Sequence, residues 1–169
     1  MDPPRLRALS AADTAAVTEL YRTVALSAGS GLARSAPEIT AEYVEGFLSR
    51  AARNGVALGA LQDERLVGEI HAVRMSARQF SHVLSELTVA VDPLLQGCGI
   101  GSLLFDALFG AAARLSPPVC RIELIARSGN AAAIRLYERL GFRIEGRFVG
   151  RVRLADGTIE DDIPMARCL

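Results

Sequence analysis

Lysine is absent from this chain: its 19 basic residues are all arginine. That excludes a Schiff-base lysine and a phosphate loop of the Gly-Lys-Ser/Thr type. An excess of either charge is missing too. The 19 basic residues balance 19 acidic ones, for zero formal net charge. This argues against a chain built for nucleic acid or for an anionic membrane. Cysteine is sparse, and Cys98, Cys120 and Cys168 form no Cys-x-x-Cys pair. Such spacing suits neither a disulfide framework nor a zinc site, so no metal is expected. No apolar stretch is long enough to span a bilayer. The opening Met-Asp-Pro-Pro-Arg-Leu-Arg has no apolar run of a secretory leader, so a cytoplasmic location is expected. Repeats, low-complexity tracts and linkers are also lacking. With 169 residues, half of them apolar, a single domain over 1–169 is expected.

What is present is a succession of element signals. Arg5 to Leu9 predicts a short strand. Ser10-Ala-Ala-Asp13 reads as a helix cap, followed by Val17, Leu20, Tyr21 and Val24 at helical spacing up to Leu26. Gly29 to Ala36 reads as a loop. Pro37 opens a second predicted helix, with Tyr43, Val44, Phe47 and Leu48 on one face and an end near Asn54-Gly55. Val56 to Leu61 and Leu66 to Met75 predict a hairpin, and His82 to Val91 the next strand. Ile100 to Leu115 carries an apolar stripe at helical spacing and is broken by Pro117-Pro118. Val119 to Ala126 predicts a strand, and Asn130 to Leu140 a helix closed by Gly141. Phe142 to Leu154 and Thr158 to Ala166 predict a last hairpin turning at Asp156-Gly157. The order β-α-α-β-β-β-α-β-α-β-β implies antiparallel pairing early and one parallel pair across the later crossover.

Between the third of the central strands and the apolar helix lies Gln96-Gly97-Cys98-Gly99-Ile100-Gly101. A glycine turn there presents unpaired N–H groups at the positive end of a helix dipole, and it binds phosphate without a lysine. The G-x-G-x-G spacing does not fit the dinucleotide fingerprint of a Rossmann fold. A second motif follows downstream: Asn130-Ala-Ala-Ala-Ile-Arg-Leu-Tyr-Glu-Arg-Leu-Gly-Phe142.

Together the two motifs resemble the GNAT superfamily, the GCN5-related N-acetyltransferases, of the bacterial small-molecule or amino-acid type. Gln96 to Gly101 matches the family's Q/R-x-x-G-x-G/A motif. Asn130, Ala133, Leu136, Tyr137, Gly141 and Phe142 match its N-x-x-A-x-x-L-Y-x-x-x-G-F pattern. Gly157 to Ala166 is similar to the C-terminal pattern of many members. The resemblance implies an α/β (α+β) fold: a mixed, twisted sheet of six to seven strands flanked by about four helices. It implies acetyl-CoA as co-substrate. The pantetheine arm would pair with backbone at Val89, Ala90 and Val91. The pyrophosphate would lie on Gly97, Cys98, Gly99, Ile100, Gly101 and Ser102, with Gln96, Asn130 and Ala133 beside the cofactor.

The activity so implied is N-acetyl transfer to a primary amine by direct attack. Helical spacing alone puts Tyr137 on an apolar stripe, a core position. The resemblance makes it the acid that protonates the departing thiolate. The amine arrives protonated and needs a base. Glu86 is the candidate, with Glu69, His71 and His82 as alternatives. Alternation puts Glu69 and His71 on one face of their strand. Cys98 faces the wrong end of the cofactor for an acetyl-cysteine route, and Arg127, Arg135 and Glu160-Asp161-Asp162 read as solvated surface. A small-molecule amine or amino acid is the expected acceptor, with a protein N-terminus as the other candidate. The resemblance is compatible with a homodimer. A non-catalytic acyl-CoA sensor, and a transferase for a longer acyl-CoA, are the competing readings.

Overall fold

The computed structural model describes residues 4–169. Its elements run β1 (Arg5–Ala8), α1 (Thr14–Leu26), α2 (Ala41–Asn54), β2 (Gly55–Gln62), β3 (Arg65–Arg74) and β4 (Val83–Val91). Then come α3 (Ile100–Ala112), β5 (Arg121–Arg127), α4 (Ala131–Arg139), β6 (Arg143–Ile144), β7 (Phe148–Arg153) and β8 (Ile159–Cys168). Eight strands form one mixed sheet in the order β1-β2-β3-β4-β5-β8-β6, with β7 also paired to β8. The mixed α/β fold with four helices is therefore as expected, with one strand more than the sequence suggested.

Local chemistry sets the helix starts. Ser10 and Asp13 close a capping box over a single 3-10 turn, Ala11–Asp13, before α1 begins at Thr14. Pro37 does not open the second helix. Ser35 and Glu38 cap each other around another lone 3-10 turn, Ala36–Glu38, which ends the segment early. The helix α2 starts only at Ala41, where Thr40 Oγ1 accepts a hydrogen bond from Tyr43 N at 3.1 Å.

The predicted last hairpin is also modified. Phe142 to Leu154 is not one strand: it breaks after Ile144, around Gly146, and resumes as β7, where the register shifts around Gly150. Gly150 takes φ +63° and donates its N–H to the Asp161 carboxylate at 2.7 Å, away from the ladder. The two pieces, β6 and β7, then pair with different parts of β8.

The sheet has a core on each face. Ile70, Leu84, Leu104, Phe105, Leu108, Ile122 and Met165 pack on the side covered by α3. Val17, Tyr21, Val44, Phe47, Leu48 and Val73 pack on the side covered by α1 and α2. The parallel pair is β4 with β5, and it is brief: only Val83 with Arg121 and Leu84 with Ile122 are in register. Beyond that point the strands part, although β5 pairs along all of Arg121–Arg127 with β8. No helix among the described residues is long and apolar enough to cross a membrane.

Candidate active site

The parting of β4 from β5 leaves one edge of β4 without a strand neighbour beyond Leu84. A bulge marks the place. Between His71 and Val73 of β3 the register with β4 shifts, and Glu86 takes φ +52°. Such a bulge bends the strand and re-aims its side chains. An unpaired strand edge offers backbone N–H and C=O groups to any extended, amide-bearing ligand.

The glycine turn lies at the C-terminal end of that edge. Gly97 and Gly99 have φ +79° and +84°, a left-handed backbone that favours glycine. Gly99 caps α3, whose first helical bond runs from Leu103 N to Gly99 O at 3.0 Å. Among the described residues, the N–H groups of Gly99, Ile100, Gly101 and Ser102 donate to no protein acceptor. A β-carbon on Gly97 or Gly99 would meet nothing within 4 Å, so the space before the turn is open. Free donors at a helix N-terminus with open space in front form an anion cradle. Asp92 fixes the approach. It accepts from Leu94 N at 3.0 Å and from Arg65 Nη1 at 2.6 Å. Burial works to raise its pKa, but the Leu94 N–H and the Arg65 guanidinium outweigh it and hold the carboxyl below its usual value.

On the same face of the sheet, Asn130 caps α4, with Oδ1 accepting from Ala133 N at 3.1 Å. Tyr137, one turn from the end of α4, packs its ring on Phe105 and Phe142 at 5.6 and 6.1 Å. Burial pushes its phenol up to about 12. Its Oη has no protein hydrogen-bond partner among the described residues, and it is not a sealed atom.

The opposite face holds a cavity of about 690 Å³ between α2, β3, β4 and β5, with residues from the β7–β8 end. Glu86, His71 and Thr88 line it, as do Tyr43, Phe47, Arg34, Arg50 and Arg121. Most of its charges are paired. Arg50 Nη2 meets Glu86 Oε2 at 2.9 Å, and Arg121 bonds Glu123 at 2.6 Å and also Glu145. Arg34 stands on the Tyr43 ring at 4.4 Å, with no carboxylate within 4.0 Å among the described residues.

Beneath this cavity lies a buried polar trio that the sequence did not predict. Tyr21 Oη donates to Glu69 Oε2 at 2.5 Å, and His71 Nδ1 lies 3.1 Å from Glu69 Oε1. Glu69 is 0% exposed and His71 3%. The Phe47 ring stacks on the imidazole at 4.0 Å. Tyr21 had read as one more apolar helix position. The available signal was a polar pair, Glu69 and His71, inside an otherwise apolar stretch of β3.

The structure thus gathers Glu86 and His71 at one cavity and leaves Glu69 below it. The glycine turn, Asn130 and Tyr137 lie toward the α3 and α4 side. His82 is exposed and absent from the cavity lining, and Cys98 is exposed at the turn. Arg127 is not a fully solvated residue, since its Nε is buried without a partner. Asp161 and Asp162 are tied to Arg147 and Arg151.

This architecture occurs in known proteins. The chain is similar to the crystal structure of a GNAT-family acetyltransferase from Streptococcus pneumoniae, with a TM-score of 0.86, 23% identity and coverage of 98% of this chain and 99% of that one. It is also similar to a phosphinothricin acetyltransferase from Sinorhizobium meliloti solved in complex with acetyl-CoA, with a TM-score of 0.84, 23% identity and coverage of 99% and 89%. A mycothiol acetyltransferase from Brachybacterium faecium is 35% identical over 92 residues, 54% of this chain. The match spans 27% of that relative's length. A sequence profile described as the acetyltransferase (GNAT) family matches residues 18–142, a stretch that takes in α2, the bulged β4, the glycine turn and Tyr137. The chain belongs to the acetyltransferase (GNAT) family.

Proposed function

We propose that this chain transfers an acetyl group from acetyl-CoA to a primary amine by direct attack. The observation that carries the reading is the seam between β4 and β5, open after two residue pairs and ending at a turn of free N–H groups. The pyrophosphate would lie on the turn from Gly97 to Ser102, beside Gln96, with the free donors of Gly99 to Ser102 turned to it and the Cys98 N–H held by Leu95 O at 3.4 Å. The pantetheine amides would add to the free edge of β4 around Val89, Ala90 and Val91, as an extra strand does. Asn130 and Ala133, at the start of α4, would flank the arm. The Sinorhizobium relative, solved with acetyl-CoA, supports this choice of donor.

The seam joins the two faces of the sheet, so acetyl donor and acceptor would approach from opposite sides. An amine in the cavity would attack the acetyl carbon. Backbone N–H on β4 near Val89 would polarise the carbonyl. Tyr137 would give its proton to the thiolate as the C–S bond breaks. Glu86 stands at the cavity wall and would draw in a cationic ammonium group. Among the described residues Arg34 is the cavity arginine with no carboxylate within 4.0 Å, which favours an acceptor that bears an anionic group as well as its amine. Amino acids fit that chemistry.

Thiol release from acetyl-CoA, measured against a panel of amines and amino acids, tests the proposal. Amine-dependent release, with a product heavier by one acetyl group, is expected. Tight acetyl-CoA binding with no release for any amine would instead favour a sensor.

A further inference from the structure

We infer that His71, oriented by Glu69 and Tyr21, takes the proton from the acceptor amine. The inference rests on the transferase reading above.

A carboxylate can only accept hydrogen bonds. Glu69 therefore takes the Tyr21 hydroxyl proton on Oε2 and the imidazole Nδ1–H on Oε1. Nδ1 also lies 3.3 Å from Tyr21 Oη and 3.3 Å from Glu69 Oε2, and the 2.5 Å bond from Tyr21 to Glu69 commits that hydroxyl's proton to the carboxylate. With Nδ1 protonated, the neutral ring leaves Nε2 as a bare acceptor. Among the described residues Nε2 has no hydrogen-bond partner, yet the only sealed, unpartnered side-chain nitrogen or oxygen is Arg127 Nε. Nε2 is therefore accessible, and His71 lines the cavity proposed for the amine.

The arrangement is a lone pair aimed into the cavity, with a buried carboxylate behind it. Full burial of Glu69 strengthens its attraction for an imidazolium. Phe47 stacks on the ring and fixes its plane. His71 pairs across the strands with Thr88, next to Val89 and the carbonyl-polarising stretch of β4. Glu86, by contrast, is exposed and already engaged by Arg50. Tyr21 from α1, Tyr43 and Arg50 from α2, Glu69 from β3, Glu86 from β4, Arg121 and Glu123 from β5, Arg34 from the loop before α2 and Glu145 from the segment after β6 are the titratable and charged groups around this ring and its cavity.

The protons balance. The ammonium gives one to Nε2, and the free amine attacks. The tetrahedral nitrogen then loses a second proton to solvent. That loss matches the proton Tyr137 gave to sulfur and regains. The imidazolium releases its proton to solvent, so each turnover yields one acetamide, one thiol and one proton.

His71→Asn is expected to lower kcat by about a hundredfold or more, with acetyl-CoA binding retained. Glu86→Gln is expected to raise KM more than it lowers kcat. Glu69→Gln removes the charge behind the ring and is expected to move the acid limb of the kcat/KM profile to lower pH. A limb left in place assigns Glu69 a structural role alone. The tautomer is read without variants of the trio from ¹⁵N-histidine spectra. The chain has 2 histidines, so His82→Asn leaves one ring. Its neutral form should carry the proton on Nδ1, and a proton on Nε2 overturns the inference. So does amine-dependent turnover in His71→Asn within about threefold of the parent protein. No turnover by the parent with any amine removes the transferase reading, and this inference with it.

Discussion

Replacing Tyr137 with phenylalanine separates packing from proton transfer. The ring contacts with Phe105 and Phe142 survive the change, and the lost hydroxyl has no protein partner among the described residues. Removing it strands no buried group, so unfolding free energy should change by less than about 0.5 kcal/mol. Proton donation by a positioned side chain typically contributes about 10²- to 10⁴-fold, or roughly 3 to 5 kcal/mol of barrier. The expected result is therefore a kcat lower by that factor, an unchanged acetyl-CoA dissociation constant by calorimetry, and an unchanged urea midpoint. Burial holds the phenol up to about 12, so it stays loaded with its proton in ordinary assay buffers. Because the folded value is raised, the unfolded chain ionises first. Stability then falls as pH rises from 10.0 toward about 12 in the parent protein, and the fall is smaller in Tyr137→Phe. A variant with full turnover refutes the reasoning. So does one that loses stability and turnover together, because Tyr137 would then be a core residue only.

Three further outcomes follow from the geometry. Gly99→Val forces a β-branched residue into φ +84° and should cost about 1–3 kcal/mol of stability, with weaker acetyl-CoA binding by calorimetry. Asp92→Ala removes the acceptor of Leu94 N and the partner of Arg65; it should cost about 1–2 kcal/mol by urea unfolding. The Asp92 carboxyl is depressed below its ordinary 3.8 in the folded state, so its contribution is full above that pH and is lost as pH falls below it. Acid unfolding of Asp92→Asn should lack that part of the slope. Arg34→Ala should raise KM for an amino-acid acceptor by about tenfold, while KM for a plain alkylamine moves little; equal effects on both would remove the anionic-group assignment.

The parts of the site that were legible are those where backbone geometry dictates residue type. Left-handed turns at Gly97 and Gly99 and a side-chain cap at Asn130 leave marks in sequence. Strand alternation also put Glu69 and His71 together correctly. It left open which side of the sheet they face, because that depends on how α1 and α2 dock. Tyr21 closes on Glu69 across 48 positions of sequence, a contact that no local pattern encodes. The bulge at Glu86 arises from register between strands, and the Arg50 pair from α2 crossing above it. Pro37 misled because a proline suits the first turn of any helix, including one that stops after a single turn. The break in the last strand was foreshadowed by Gly146 and the bulge of β7 by Gly150, but the Asp161 carboxylate that holds the bulge is supplied by β8.

The central claim is that coenzyme A occupies the β4–β5 seam with its pyrophosphate on the turn before α3. Amide hydrogen exchange with and without acetyl-CoA measures this residue by residue. Slowed exchange confined to the free edge of β4, around Leu87 to Val91, and to the N–H groups from Gly97 to Ser102 is the predicted result. Unchanged exchange there, with protection arising elsewhere on the sheet, would contradict it.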